Sequence, residues 1–252
     1  MIAPPPTIVL ITGAGRGIGK ALTAGYLSLP NHTVIGTIRD SKQTAELRGL
    51  STASNSRLLL VNIESSCPTD PQRAVKEIQA MGIHHLDIVI ANSAVCPAMV
   101  PLDLADANVI SSTFNINTLA PILLFQAVKP MLERSMDPKW VSVSSSAGSV
   151  AYMKANDTAF SGAYGLSKAA MNWFTVGLHS ANKFLTAFVI HPGFVPSDMG
   201  IHAAKYAGVE APPETIEDSY INTIDVSKIA RATREETSGK FINVIDRTVV
   251  PW

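Results

Sequence analysis

The chain is poor in charge and in cysteine, and it has no long apolar run. Charged side chains make up 16 % of its 252 residues, and 20 Lys and Arg balance 20 Asp and Glu. A neutral chain without basic clusters argues against nucleic-acid binding. Cys67 and Cys96 are the only cysteines, too few for a disulfide framework and wrongly arranged for zinc, so no metal site is expected. Two free thiols point to a reducing, cytoplasmic setting. The greasiest window, 119–128, is interrupted by Pro121 and Gln126 and is too short for a membrane span. The opening residues, Met1 to Pro6, lack a charged segment followed by an apolar one, so no targeting signal is expected. Apolar residues, by contrast, reach 46 %, enough to bury a substantial core. The length suits one large α/β domain over 1–252 better than two small ones.

Along the chain, short β-branched runs alternate with helical patterns. Strands are expected at 7–12, 33–38, 57–61, 86–91, 140–145, 186–191 and 239–244. Helices are expected at 20–29, 71–81, 106–113, 114–134, 162–182 and 214–226. Residues 146–160 read as a loop, and 194–213 as a mobile segment beside the site. Strand–helix alternation implies a parallel sheet with right-handed crossovers. The fold class is therefore α/β: a Rossmann-type, doubly wound parallel sheet in three layers, α/β/α, as a single domain.

Three features carry chemistry. The first strand feeds Thr12, Gly13, Ala14, Gly15, Arg16, Gly17, Ile18 and Gly19, and a helix follows. A glycine-rich turn there lets backbone amides approach a pyrophosphate at the helix N-terminus. The second strand ends at Arg39, where dinucleotide folds carry an acid for NAD or an arginine for a 2′-phosphate. With Arg16 it favours NADP(H), since guanidinium forks suit phosphate; the alternative is that Asp40 binds the ribose instead. Asn62 and Ile63 close the third strand, where an adenine would lie. Finally, Tyr164 and Lys168 are four apart on one helix face, so an ammonium would draw the phenol's pKa down toward the working range.

Taken in order, these motifs resemble the short-chain dehydrogenase/reductase family, single-domain branch, over nearly the whole chain. The glycine turn looks like the family's TGxxxGxG loop, and Asn117 like its helical asparagine. Ser145, three residues before Gly148, looks like its serine; Tyr164 and Lys168 match its Tyr-x-x-x-Lys; and Pro192 with Gly193 matches its nicotinamide loop. Thr215 to Ser219, Gly239 to Phe241, and Pro251 with Trp252 resemble the C-factor-like subgroup, similar to norsolorinic acid ketoreductase. Three departures stand out. Ala94 occupies a family glycine position after Asn92. Asn62 replaces an aspartate. Eighteen residues separate Ser145 from Tyr164, several more than usual; within them Tyr152 to Phe160 read as an enlarged loop that either borders the substrate mouth or is a surface insertion.

The resemblance implies an NADPH-dependent ketoreductase with Asn117, Ser145, Tyr164 and Lys168 as its catalytic set. Tyr164 would give a proton, Ser145 would bind the carbonyl oxygen, and Asn117 would hold a relay water. Lys168 would lower the Tyr164 pKa and bind the ribose. The cofactor would lie on Gly13, Gly15, Arg16, Gly17, Ile18 and Gly19, on Arg39, Asn62, Ile63 and Asn92, and on Pro192, Gly193, Val195 and Ser197. Ser144 and Ser146 remain understudies to Ser145, and His191 reads as structural rather than as a base. A pocket lined by Val95, Cys96, Met99, the 149–160 loop with Met153 and Phe160, and 194–206 with Met199 and Tyr206 suggests an apolar or aromatic carbonyl. The same site run backwards is an alcohol dehydrogenase, and a dinucleotide sensor is the non-enzymatic reading. A homodimer or homotetramer is implied by resemblance alone.

Overall fold

Seven strands pair side by side in one sheet, in the order β3-β2-β1-β4-β5-β6-β7, every pair parallel. In chain order the elements are β1 (Thr7–Ile11), α1 (Gly17–Leu27), β2 (His32–Ile38), α2 (Thr44–Arg48), β3 (Arg57–Asn62), α3 (Asp70–Ala80), β4 (Ile88–Ala91), α4 (Ala107–Phe114) and α5 (Ala120–Leu132). There follow β5 (Lys139–Val143), α6 (Val150–Ala155), α7 (Gly162–Ala181), β6 (Thr186–His191), α8 (Asp198–Ala207), α9 (Ile216–Lys228) and β7 (Phe241–Asn243). This computed structural model describes residues 5–39, 41–155, 158–228 and 232–252. Asp40, the alternative ribose ligand, lies outside the described residues, as do Met1 to Pro4 and two positions of the expected mouth loop, Asn156 and Asp157.

The central strands are buried along nearly their whole length because helices cover both faces of the sheet. Successive side chains alternate between the two layers. Leu10, Val89 and Trp140 pack with residues of α3, α5 and α7 on one face. Val9, Val141 and Phe188 pack with residues of α1 and α9 on the other. Trp140 lies edge-on to Phe125, with ring centroids 5.3 Å apart. The sheet grows from β1 toward β2 and β3 on one side and toward β4 on the other. Where the order reverses, a crevice opens beyond the carboxyl ends of β1 and β4.

In three segments the structure departs from the sequence pattern. The helix expected at 114–134 is broken by a π-helical turn, Asn115–Leu119. Pro121 has no N–H to offer the carbonyl of Asn117, so the α-helical ladder is interrupted there. The 194–213 segment contains α8, capped by Ser197, whose Oγ accepts the Gly200 N–H at 3.1 Å, and stopped by Gly208 at φ +67°. The loop expected at 146–160 carries α6 between two 3₁₀ turns, Ser146–Gly148 and Thr158–Ser161. Among the described residues no helix is long and apolar enough to cross a membrane.

Candidate active site

The glycine turn leaves β1 under close control. Thr12 Oγ1 accepts the N–H groups of Asn92 and Ser93 at 2.9 and 3.0 Å. The Asn92 amide donates to the carbonyl of Thr12 at 2.8 Å. Asn92 therefore holds the turn from β4 while lining the cleft beside it. Gly19 faces the turn so closely that a Cβ there would stand 2.1 Å from the carbonyl oxygen of Gly13. Helix α1 then begins with no side-chain cap and no acid in its first turn. Its leading amides face the cleft mouth unpaired by side chains, the arrangement that suits a phosphate.

The cleft runs from this turn to Tyr164 and Lys168. Gly13, Gly15, Arg16, Gly17, Ile18, Gly19, Arg39 and Ile63 line it, as do Pro192 and Ser197. Asn62 does not: its side chain is exposed and donates to the carbonyl of Arg39 at 3.4 Å. A residue at a strand end alternates faces, and here Ile63 rather than Asn62 turns inward. Gly193 and Val195 are not among the lining residues either; Gly193 makes the bend at φ +87°, and the Val195 carbonyl accepts the Ser197 N–H. Arg39 reaches Glu64 at 3.9 Å, and Arg16 pairs with Asp198 at 3.0 Å. Sequence reasoning missed Thr37, Gln43, Ser65 and Ile116 on the wall. Ile116 adjoins Asn117, and Thr37 and Ser65 lie two residues from Arg39 and Ile63, a proximity that could have found them, whereas nothing in the sequence marks Gln43.

At the inner end of the cleft, Tyr164 and Lys168 lie on one face of α7, 8 % and 2 % exposed. Lys168 Nζ donates to the carbonyl of Val143, the last residue of β5, at 2.8 Å. Next to it Ser145 opens a 3₁₀ turn, its Oγ accepting the Ala147 N–H at 3.2 Å. Ser142 is committed elsewhere, to Trp140 and Thr175. Ser144 lines the cleft with a buried hydroxyl that has no partner, an acceptor and donor left free inside the site. Ser146 presents its N–H to His191 Nδ1 at 3.3 Å. Burial brings that imidazole down to about 4, so it is neutral at neutral pH and accepts this bond.

Electrostatics reverse one expectation. Burial pushes the Tyr164 phenol above the ordinary tyrosine range, Cys96 adds to the rise, and a hydrogen bond with Ser145 works against it. Burial also lowers Lys168 to about 8, with Cys96 acting the other way, and raises Cys96 itself to about 11. Withdrawal from water dominates both groups, and for the phenol the hydrogen bond from Ser145, not the ammonium, is what works against it.

Asn117 also differs from expectation. It is fully buried in the π turn, its Oδ1 accepting the Val95 N–H at 2.8 Å. Its Nδ2 donates to the Val95 carbonyl and to Ser167 Oγ, at 2.8 and 3.0 Å. With both amide hydrogens taken, the side chain ties the segment after β4 to α7 rather than offering a donor to a water. Of the expected substrate pocket, Val95 and Met199 line the cleft, whereas Met153 and Tyr206 are exposed outside it. Among the described residues, no group of three His, Cys, Asp or Glu could hold a metal.

The profile described as short chain dehydrogenase matches residues 7–206. Short-chain dehydrogenase RED3 of Pyricularia oryzae is 42 % identical over 98 % of both chains. Norsolorinic acid ketoreductase nor1 of Dothistroma septosporum is 37 % identical over 98 % of this chain and 92 % of its own. Among solved structures, an NADPH-bound carbonyl reductase from chicken fatty liver superposes with a TM-score of 0.81 at 26 % identity, over 99 % of this chain and 100 % of its own. A glycine turn on a parallel sheet, a tyrosine–lysine helix beside a serine turn, and these relatives agree. The chain is an oxidoreductase of the short-chain dehydrogenase/reductase family, in the branch resembling the norsolorinic acid ketoreductases.

Proposed function

We propose that the chain reduces a ketone on an apolar or aromatic small molecule with NADP(H). The observation that carries this is that Tyr164 and Lys168 line the inner end of a cleft that starts on the glycine turn, with the Ser145 hydroxyl hydrogen-bonded to the Tyr164 phenol beside it. The residues fit the cofactor: an uncapped helix start and a glycine cradle for the pyrophosphate, and Arg16 and Arg39 at the mouth for a 2′-phosphate. Ile63 suits the adenine side, Pro192 and Ser197 the nicotinamide side. When bound, NADPH supplies the hydride.

The chain's own groups do the rest. Tyr164 Oη delivers a proton to the carbonyl oxygen, and Ser145 Oγ donates a hydrogen bond to the same oxygen as charge develops. Lys168, held against Val143, keeps an ammonium beside the phenol and the ribose. Asn117 positions the segment after β4 against α7. Burial keeps the phenol protonated, so it holds the proton that reduction consumes, and the same site run backwards would return that proton to it. A sensor that never turns over its dinucleotide would have no use for the complete set.

The names of the ketoreductase relatives support an aromatic, polyketide-type ketone as substrate. Two unpaired thiols support a reducing, cytoplasmic setting. Leu166 and Trp173, seven residues apart on the outer face of α7 and 42 % and 79 % exposed, support a homodimer or homotetramer through that helix. The deciding experiment is NADPH consumption against a panel of aromatic ketones by wild type and Tyr164→Phe. Loss of reduction with cofactor binding kept supports the reading; full activity in the variant ends it.

A further inference from the structure

The chain between Ser145 and Tyr164 is held at its outer end by the last residues of the sequence. Ser149, 1 % exposed, donates its hydroxyl to the carbonyl of Pro251 at 2.5 Å and accepts the Tyr152 N–H at 3.1 Å. The Ala151 N–H donates to the carbonyl of Trp252 at 2.9 Å. The Trp252 indole stacks on Phe241 of β7, centroids 5.6 Å apart and planes 25° apart. Tyr152 packs on the small apolar cluster formed by Phe241, Val189 and Val250.

At its inner end the same stretch is held by other partners. Ser146 N–H reaches His191, and Asn172 Nδ2 donates to the carbonyl of Gly148 at 3.1 Å. Asn172 lies on the Tyr164–Lys168 face of α7, so the serine turn is pinned to the catalytic helix from within. Helix α6 has six residues and buries none of them fully. A helix that short does not hold itself, so its order comes from what it rests on.

We propose that Pro251 and Trp252 form a strap that positions the serine turn and the α6 rim, with Ser149 and Trp252 as positioning residues for the ketone. Ser149 is four residues from Ser145 and one from α6, so its bond to Pro251 fixes both at once. Trp252 holds the strap down on β7. Loosening either lets the rim swing and misaims the Ser145 hydroxyl, while the glycine turn at the far end of the cleft is untouched.

This rests on the ketoreductase reading, and the test separates the two. Full-length wild type, Trp252→Ala, Trp252→Phe and Ser149→Ala are compared with NADPH and an aromatic ketone reduced by the wild type. Both Ala variants are expected to lose about tenfold in kcat/KM, chiefly through the ketone's KM, because a small misplacement in a reacting pair is costly. NADPH affinity is expected to stay at the wild-type value, and Trp252→Phe to restore the ketone's KM by keeping the stack. Trypsin cleavage after Lys154, in α6, is expected to quicken in the Ala variants and not in Trp252→Phe. An unchanged ketone KM or unchanged cleavage in both Ala variants overturns the strap. So does a loss of NADPH binding and thermal stability in step with the loss of turnover, which marks a general folding defect. A wild type that reduces no carbonyl ends the ketoreductase reading instead, and the cleavage comparison then decides the strap alone.

Discussion

Lys168 Nζ stands 5.6 Å from the centre of the Tyr164 ring while donating to the carbonyl of Val143 at 2.8 Å. The ammonium is thus committed to the end of β5 and lies over the ring. Burial brings it from 10.5 down to about 8, because the charged form is the one penalised by loss of water. For a base this means that the proton leaves early. The kcat/KM for NADPH should therefore fall as pH rises through about 8, rather than near the ordinary lysine value. Lys168→Arg, which stays charged throughout, should lose that limb whatever its absolute rate. A pH–rate profile from 6 to 10 on both proteins checks this, and a wild-type profile flat to pH 10 contradicts it.

Arg39 sets the second prediction. It lies on the cleft wall at the end of β2, 3.9 Å from Glu64 and largely open to solvent. A phosphate on the adenine ribose would take the guanidinium from that loose pair; a bare ribose would not. Arg39→Ala should raise the KM for NADPH roughly tenfold or more while moving that for NADH about twofold or less, as loss of a charge-assisted contact predicts. Steady-state kinetics with both cofactors decide it. An unchanged NADPH-to-NADH ratio removes the 2′-phosphate assignment.

Much of this was legible in sequence because the signals are local. β-branched runs at Thr7–Ile11 and His32–Ile38, glycines at fixed spacing, and a Tyr and Lys one helical turn apart each follow from backbone sterics or helical pitch. What sequence obscured depends on distant partners. The role of Asn117 is decided by the backbone of Val95 that it happens to meet. The direction of the Tyr164 shift is decided by burial, which no spacing reveals. Helix α6 has too few turns for a period and rests on β7 and Trp252, about a hundred positions away. Asn62 and Ile63 differ only in which way a strand end turns.

Gly148 supplies the third prediction. A Cβ there would stand 2.8 Å from Lys168 Cβ and 2.9 Å from its carbonyl carbon, backbone and stem that cannot yield. The turn carrying Ser145 can approach α7 this closely only without a side chain. Gly148→Ala should push the turn off the helix, lower stability by about 1–3 kcal/mol as overpacking does, and slow turnover by about 10- to 100-fold through misplaced Ser145. Thermal unfolding and single-turnover rates with saturating NADPH measure the two effects separately. Wild-type turnover in the variant would show that the serine turn needs no such contact.

His191 supplies the fourth. It closes β6 and accepts the Ser146 N–H at 3.3 Å, and burial lowers its pKa from 6.5 to about 4, with Asp246 pulling the other way. Above pH 6.5 the imidazole is neutral in folded and unfolded chains alike, and its contribution to stability is fully present. As pH falls below 6.5 the unfolded chain takes up a proton that the folded one refuses until about 4, so protonation favours unfolding. Stability on the order of 3 kcal/mol at most should be lost across that window. His191→Asn offers an oxygen near the place of Nδ1 and does not titrate, so it should remove this slope, while the carboxylates other than Asp246, which faces the imidazole, titrate equally in both proteins. Urea midpoints at pH 7, 5.5 and 4.5 should therefore fall more steeply for the wild type than for the variant. Parallel curves would mean that the imidazole is as free to take a proton in the folded chain as in the unfolded one.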